Sequence, residues 1–175
     1  HHLVDWVEEH SRSKIQQIHV SYILAARNFE DIPAHEEGRS RAFLKVQEGC
    51  NQYCTYCIIP YTRGPLRSRT LESIERESRK LWDMGFQEII LTGIHLGAYG
   101  LDLPERPDLV AVVKTVLGTS DFGRVRLGSL ESIEVSPELI ELMKNEKRLC
   151  KQLHLPLQSG TNEVLKAMGR PYKIE

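Results

Sequence analysis

Glu88-Ile89-Ile90-Leu91-Thr92-Gly93 is the stretch that decides the fold class. Ile89, Ile90 and Leu91 fill alternating positions, so a strand here has no polar face to turn to water. Strands buried on both faces belong to parallel sheets covered by helices. The flanking sequence agrees. Before it, residues 71–84 carry Leu71, Ile74, Leu81 and Trp82 at helical spacing, and Gly85 is placed to end that helix. Further upstream, Ala42-Phe43-Leu44-Lys45-Val46 is a short apolar strand. Downstream, residues 108–117 form a second helix closed by Gly118, and Arg124-Val125-Arg126-Leu127-Gly128-Ser129 a third strand. Ser136-Pro137-Glu138 combines a cap, an N1 proline and an early acid, which marks a helix start. A fourth strand is expected over 152–157, then a helix capped by Thr161 that runs through Val164, Leu165 and Met168. The order βαβαβαβα implies right-handed crossovers, with functional residues at the C-terminal strand ends. Four such units cannot close an eight-fold barrel, so the expected architecture is α/β, either an open sheet or a partial (βα) barrel that is a fragment of a larger domain.

The first forty residues read differently. Leu3-Val4-Asp5-Trp6-Val7 has the apolar spacing of a helix tail, and residues 15–24 are β-branched enough for a short strand. Residues 25–40 are polar and contain Pro33 and Glu36-Glu37-Gly38, a linker composition. The expected division is therefore 1–24 as a helix tail and short strand, which the resemblance given below makes the remnant of a preceding domain, 25–40 as linker, and 41–175 as the main domain. His1-His2 is set aside as tag-derived or native.

Composition limits the rest. With 175 residues, 41% of them apolar, the chain can bury one ordinary core. Lys+Arg 23 against Asp+Glu 24 leaves a net charge of −1, so any nucleic-acid contact must be local or supplied largely by parts outside this chain. No apolar run approaches the roughly 20 residues of a membrane helix, and no signal peptide opens the chain. A cytoplasmic location with no membrane partner is expected.

Three of the four cysteines fall in Gly49-Cys50-Asn51-Gln52-Tyr53-Cys54-Thr55-Tyr56-Cys57, a C-x3-C-x2-C spacing directly after the first strand. A secreted disulfide framework would spread its cysteines, whereas this cluster suggests a reduced compartment and a metal. Three thiolates on one loop can hold three irons of a [4Fe–4S] cubane and leave the fourth iron without a protein ligand. S-adenosylmethionine can chelate such an iron through its amino and carboxylate groups and be cleaved by one-electron reduction, with the protein orienting and protecting that chemistry. Tyr56 can pack over the cluster or the adenine. The alternative is a zinc-stapled, non-catalytic binding module, with His95 or His154 as fourth ligand.

At these residues the chain resembles the radical S-adenosylmethionine superfamily, and within it the methylthiotransferases. The resemblance runs through Ala42-Phe43-Leu44-Lys45-Val46-Gln47-Glu48-Gly49-Cys50 and Cys57-Ile58-Ile59-Pro60-Tyr61-Thr62-Arg63-Gly64. It continues in Leu91-Thr92-Gly93-Ile94-His95-Leu96-Gly97 and His154-Leu155-Pro156-Leu157-Gln158-Ser159-Gly160. Arg67-Ser68-Arg69 and the Gly-Ile-His-Leu-Gly run look most like the branch that acts on N6-threonylcarbamoyladenosine in tRNA. Other branches act on isopentenyladenosine in tRNA or on a ribosomal protein aspartate. The resemblance implies a radical enzyme that places a methylthio group on C2 of the adenine beside the anticodon. It also implies tRNA as partner, an electron donor such as flavodoxin or ferredoxin, and a second [4Fe–4S] cluster on a preceding domain. Residues 1–40 contain no cysteine, so the chain reads as an internal fragment that is not expected to complete the reaction alone.

The resemblance further implies that Thr92 and Gly93 help hold the S-adenosylmethionine amino group, a simple βα turn being the alternative. Ser129, Glu131 and Gln158 are candidate cofactor contacts for the same positional reason; Glu131 reads equally as a capping or solvated acid. Arg126 pairs either with a ligand carboxylate or with a buried acid. His95 and His154 are candidate substrate contacts, with hydrogen-bonded structural histidines as the alternative. Arg63, Arg67 and Arg69 form a basic run after the cysteine loop, suited to phosphate or to a threonylcarbamoyl carboxylate, or simply a solvated face.

Overall fold

The computed structural model describes residues 3–16, 18–32, 40–119 and 121–175. Of the expected linker 25–40, residues 33–39 fall outside them. Three strands form one parallel sheet in the order β1-β4-β5: β1 (Arg41–Lys45), β4 (Glu88–Thr92) and β5 (Arg124–Leu127). The register pairs Leu44 with Leu91 and Leu91 with Leu127, so one row of leucines crosses the sheet. β4, the central strand, is buried along its first four residues, as its all-apolar middle requires. β1 alternates instead: Ala42 and Leu44 are fully buried, while Phe43 on the other face is 41% exposed.

Two helices cover the buried face. α3 (Leu71–Asp83) starts at Thr70, whose hydroxyl accepts from the Ser73 amide at 3.2 Å, and ends before Gly85, which adopts φ +89°. Ile74 and Leu81 lie on its inner stripe. α4 (Leu109–Thr119) buries Val110, Val112, Val113 and Val116 against the same core. Each such side chain contributes about 1.5–3 kcal/mol when taken fully from water. Gly118 does not close α4 but sits inside its last turn. α5 (Pro137–Asn145) begins at the expected cap, Ser136 Oγ accepting from the Leu139 amide at 3.1 Å, and adds Leu139 and Met143 to the core. α6 (Asn162–Ala167) follows Thr161, which caps the Val164 amide.

Three features depart from the expected order. Among the described residues of 15–24 none is in a strand; Ile18 and Val20 are exposed, and the regular element seen there is a short 3-10 turn at Ile23–Ala25. β-Branched residues favour an extended backbone, but without a partner ladder no sheet forms. The helix before them, α1, runs over Leu3–Ser13, past the tail read from residues 3–7. Residues 152–157 also fail to form a strand. The chain runs parallel beside β5 and makes two isolated bridges, Val125 of β5 with Leu149, and Ser129, just past β5, with His154. Contact therefore begins earlier than expected, and Pro156 has no N–H to extend it.

The third departure lies around the cysteines. β2 (Gln47–Glu48) pairs antiparallel with β3 (Arg67–Ser68), and between them lies a short helix, α2 (Ile59–Arg63). The cysteine loop thus has a closed stem. The Cys50 amide donates to the Gly64 carbonyl at 3.1 Å, and Gly49, at φ +71°, packs so closely on the Pro65 carbonyl that a Cβ would collide with it. Among the described residues, no helix is long and apolar enough to cross a membrane.

Candidate functional site

The C-terminal ends of the strands open into a cleft of about 200 Å³. Cys50, Cys54 and Cys57 line one side, and all three are free thiols. His95 comes from the loop after β4, Glu131 and Glu134 from the loop after β5, Gln158 from the segment beside β5, and Arg170 from the turn after α6. These are strand-end positions, where a parallel sheet places its chemistry.

The side chains form one connected network. Gln47 lies fully buried under the loop; its amide nitrogen donates to the carbonyls of Glu48 and Gly49, and its oxygen accepts from the His95 amide at 2.7 Å. His95 is thereby held with Nδ1 3.7 Å from the Cys50 sulfur, while its Nε2 contacts the Glu134 carboxylate. Glu134 also accepts from the Glu131 amide at 3.0 Å, and Gly97 leaves room for it where a side chain would collide. Burial disfavours the His95 cation, but its bonds to Cys50 and Glu134 outweigh that and push it up to about 10. Burial likewise opposes the Cys50 thiolate, yet His95 and the Gln52 amide hold that thiol below its ordinary value. A thiol whose ionisation is eased by a neighbouring histidine is suited to ligate a soft metal.

On the other side, Arg170 donates to the Cys54 sulfur at 3.0 Å and to Gln52 Oε1 at 3.2 Å, and pairs with Glu131. Gln52 Nε2 donates to Glu131 at 3.1 Å. Tyr56 donates to Gln158 Oε1 at 3.0 Å across the cleft mouth, with Gln158 at φ +63°.

The sequence-derived candidates separate into groups. Cys50, Cys54, Cys57, Tyr56, His95, Ser129, Glu131 and Gln158 all line the cleft. Thr92 and Gly93 do not; Gly93 packs on Gln47, and the next two residues, Ile94 and His95, reach the cleft instead. His154 is tied to Ser129 Oγ at 2.9 Å and is not among the lining residues. The three arginines do not make one basic patch. Arg69 is buried, pairs with Asp31 and approaches Glu77 at 3.6 Å, so its charge is spent within the fold. Arg67 is also buried and donates to the Pro65 carbonyl, while Arg63 alone is exposed. Arg126 takes the buried-acid option and donates to Glu88 at 2.9 Å. Gln52, Glu134 and Arg170 were not legible as site residues: each is a lone polar residue on a separate segment, brought in by the fold. The one available signal was the position of Gln52 between two cysteines.

The residues present fit an iron–sulfur cluster with an organic ligand beside it. Three soft thiols of one loop face a single cleft, as a three-cysteine cluster requires. Arg170 Nε is buried without a partner among the described residues, so the guanidinium retains a donor.

The family model of the radical SAM superfamily matches residues 44–175. A threonylcarbamoyladenosine tRNA methylthiotransferase of Bacillus subtilis is 42% identical over 158 residues, covering 89% of this chain and 35% of that protein. A tRNA-2-methylthio-N(6)-dimethylallyladenosine synthase of Clostridium botulinum is 40% identical over 146 residues, covering 83% of this chain and 32% of that protein. One of the same name from Lawsonia intracellularis is 40% identical over 139 residues, covering 77% and 30%. The chain thus spans about a third of the length of these relatives.

Proposed function

Because the chain belongs to the radical SAM superfamily, we propose that Cys50, Cys54 and Cys57 hold one [4Fe–4S] cluster in the core of a tRNA methylthiotransferase. The preferred substrate is N6-threonylcarbamoyladenosine beside the anticodon. The observation that carries the reading is the convergence of the three thiols with His95, Glu131, Gln158 and Arg170 on one cleft at the strand ends. The likeness to the Bacillus enzyme over 158 residues supports the choice of substrate.

When bound, the cluster and S-adenosylmethionine supply one-electron cleavage to a carbon radical that activates an inert C–H bond. The chain's own residues bind and orient. The cysteines are the ligands, and Gln52 and Glu131 form a polar wall for the amino or ribose groups of S-adenosylmethionine. Tyr56 and Gln158 close the mouth over its adenine. Gly93, which follows Thr92 at the end of β4, packs on Gln47, which holds the His95 amide, and Ser129 bonds His154. Arg63, exposed at the end of α2 and 3.7 Å from Glu48, is the basic residue of this loop that would meet tRNA. The zinc reading is disfavoured by the ligand pattern, because zinc sites usually use paired C-x2-C knuckles and this loop carries one.

The same reading makes the whole protein a cytoplasmic enzyme that takes electrons from a flavodoxin- or ferredoxin-type donor, with a second cluster on cysteines outside these residues. Nucleoside analysis tests it. tRNA from a strain lacking the gene should lack the methylthio form of threonylcarbamoyladenosine and regain it with the full-length protein. Loss of methylthiolated dimethylallyladenosine instead would assign the other substrate, and no change in either nucleoside would refute the reading.

A further inference from the structure

Arg170 stands on the turn after α6, far in sequence from the cysteines, yet its guanidinium donates to the Cys54 sulfur at 3.0 Å. The approach is built. Gly169, at φ +71°, reverses the chain against the cysteine loop, where a Cβ would lie 3.8 Å from Cys54 Cα. The carbonyls of Ala167 and Met168 accept from Thr55 Oγ1 and from the Thr55 amide at 3.0 and 3.1 Å. The Arg170 side chain is only 4% exposed, and its charge is balanced by Glu131.

We propose that Arg170 is a positioning residue for the cluster: it clamps the Cys54 end of the loop and, through its N–H to that sulfur, raises the reduction potential of the iron bound there. The inference rests on the cluster reading above. A hydrogen bond to a ligand sulfur draws off negative charge and favours the reduced state, and outer-shell donors also fix the ligand in place. Glu131 acts in the opposite sense, because its carboxylate offsets the guanidinium charge.

The test is an EPR-monitored redox titration of the anaerobically reconstituted full-length protein, with iron release to a chelator measured alongside. Arg170→Met should move the potential of this cluster to more negative values and speed iron release by roughly 10-fold or more. Arg170→Lys should restore part of the potential. Glu131→Gln should move the potential the other way, since the guanidinium stays on the sulfur without its counter-charge. A merely structural arginine would change iron retention and leave the potential of the remaining cluster untouched. Arg170→Met with full iron at the wild-type potential would overturn the proposal. If that variant retains no cluster, an unshifted potential in Glu131→Gln overturns it instead. A wild-type protein that takes up no four-iron cluster at Cys50, Cys54 and Cys57 fails at the underlying reading, and that outcome is visible before any variant is compared.

Discussion

The two ends of the same three strands carry charge in different ways. At the N-terminal end, Glu88 of β4 sits between Arg41 of β1 and Arg124 of β5 in the sheet register, and it bonds Arg126 at 2.9 Å and Arg124 at 3.1 Å. Every partner there is set by strand pairing, and the charges close on themselves. At the C-terminal end, the polar groups come from four separate loops and surround thiols that have no carboxylate or disulfide partner. The base of the sheet is built for stability and the rim for chemistry, a division general to parallel βα folds. Both ends hold ion pairs, Glu88 with its arginines at the base, Arg170 with Glu131 and His95 with Glu134 at the rim; what sets the rim apart is three free thiols of one loop lining a cleft beside those pairs.

Variants can break that contrast. The largest effect is expected at the rim. Cys50→Ala, Cys54→Ala or Cys57→Ala should each abolish the ~400 nm absorbance of the reconstituted cluster, because a cubane held by two thiols is not retained. The urea unfolding midpoint of the metal-free protein should barely move. In the core between the two ends, Leu91→Ala should destabilise the protein by about 2–5 kcal/mol in denaturant titration, since Leu91 is fully buried at the centre of the leucine row.

At the base the pattern should invert. Glu88→Ala is expected to cost about 1.5–3 kcal/mol by leaving its arginines unpaired, while the reconstituted absorbance persists. The same residue sets an acid limb. Burial works against the Glu88 carboxylate, but Arg126, Arg124 and Arg41 outweigh it and hold its pKa below the usual carboxylate value. The unfolded chain therefore binds the proton more readily than the folded one. This contribution is complete above about pH 4.5 and is lost as pH falls through the lower, folded value. Glu88→Gln should flatten that limb in a series of stability measurements between neutral pH and pH 3. The smallest effect belongs to neither end: Ser136→Ala removes only the cap of α5 and should cost about 1 kcal/mol.

The same contrast explains what the sequence could and could not reveal. Ile89-Ile90-Leu91 marked a central parallel strand because burial on both faces leaves a local signature, and Ser136-Pro137-Glu138 marked its helix start through local hydrogen bonding. The cysteine cluster was legible because all three thiols lie on one loop, and that loop lines the cleft. Residues 152–157 were misread because a strand needs a ladder, and ladder formation depends on the neighbour's register rather than on local composition. Arg69 was misread because its acidic partners, Asp31 and Glu77, lie on other segments and come together only in the fold. Gln52, Glu134 and Arg170 escaped notice for the same reason, each joining the rim as a single residue.

The most direct measurement of the central claim is iron and acid-labile sulfide per chain after anaerobic reconstitution, in the wild-type protein and in a variant with Cys50, Cys54 and Cys57 all changed to alanine. The two proteins should differ by about four irons and four sulfides. Equal iron in both, or a difference of one zinc with no iron, would contradict the assignment of a cluster to these three cysteines.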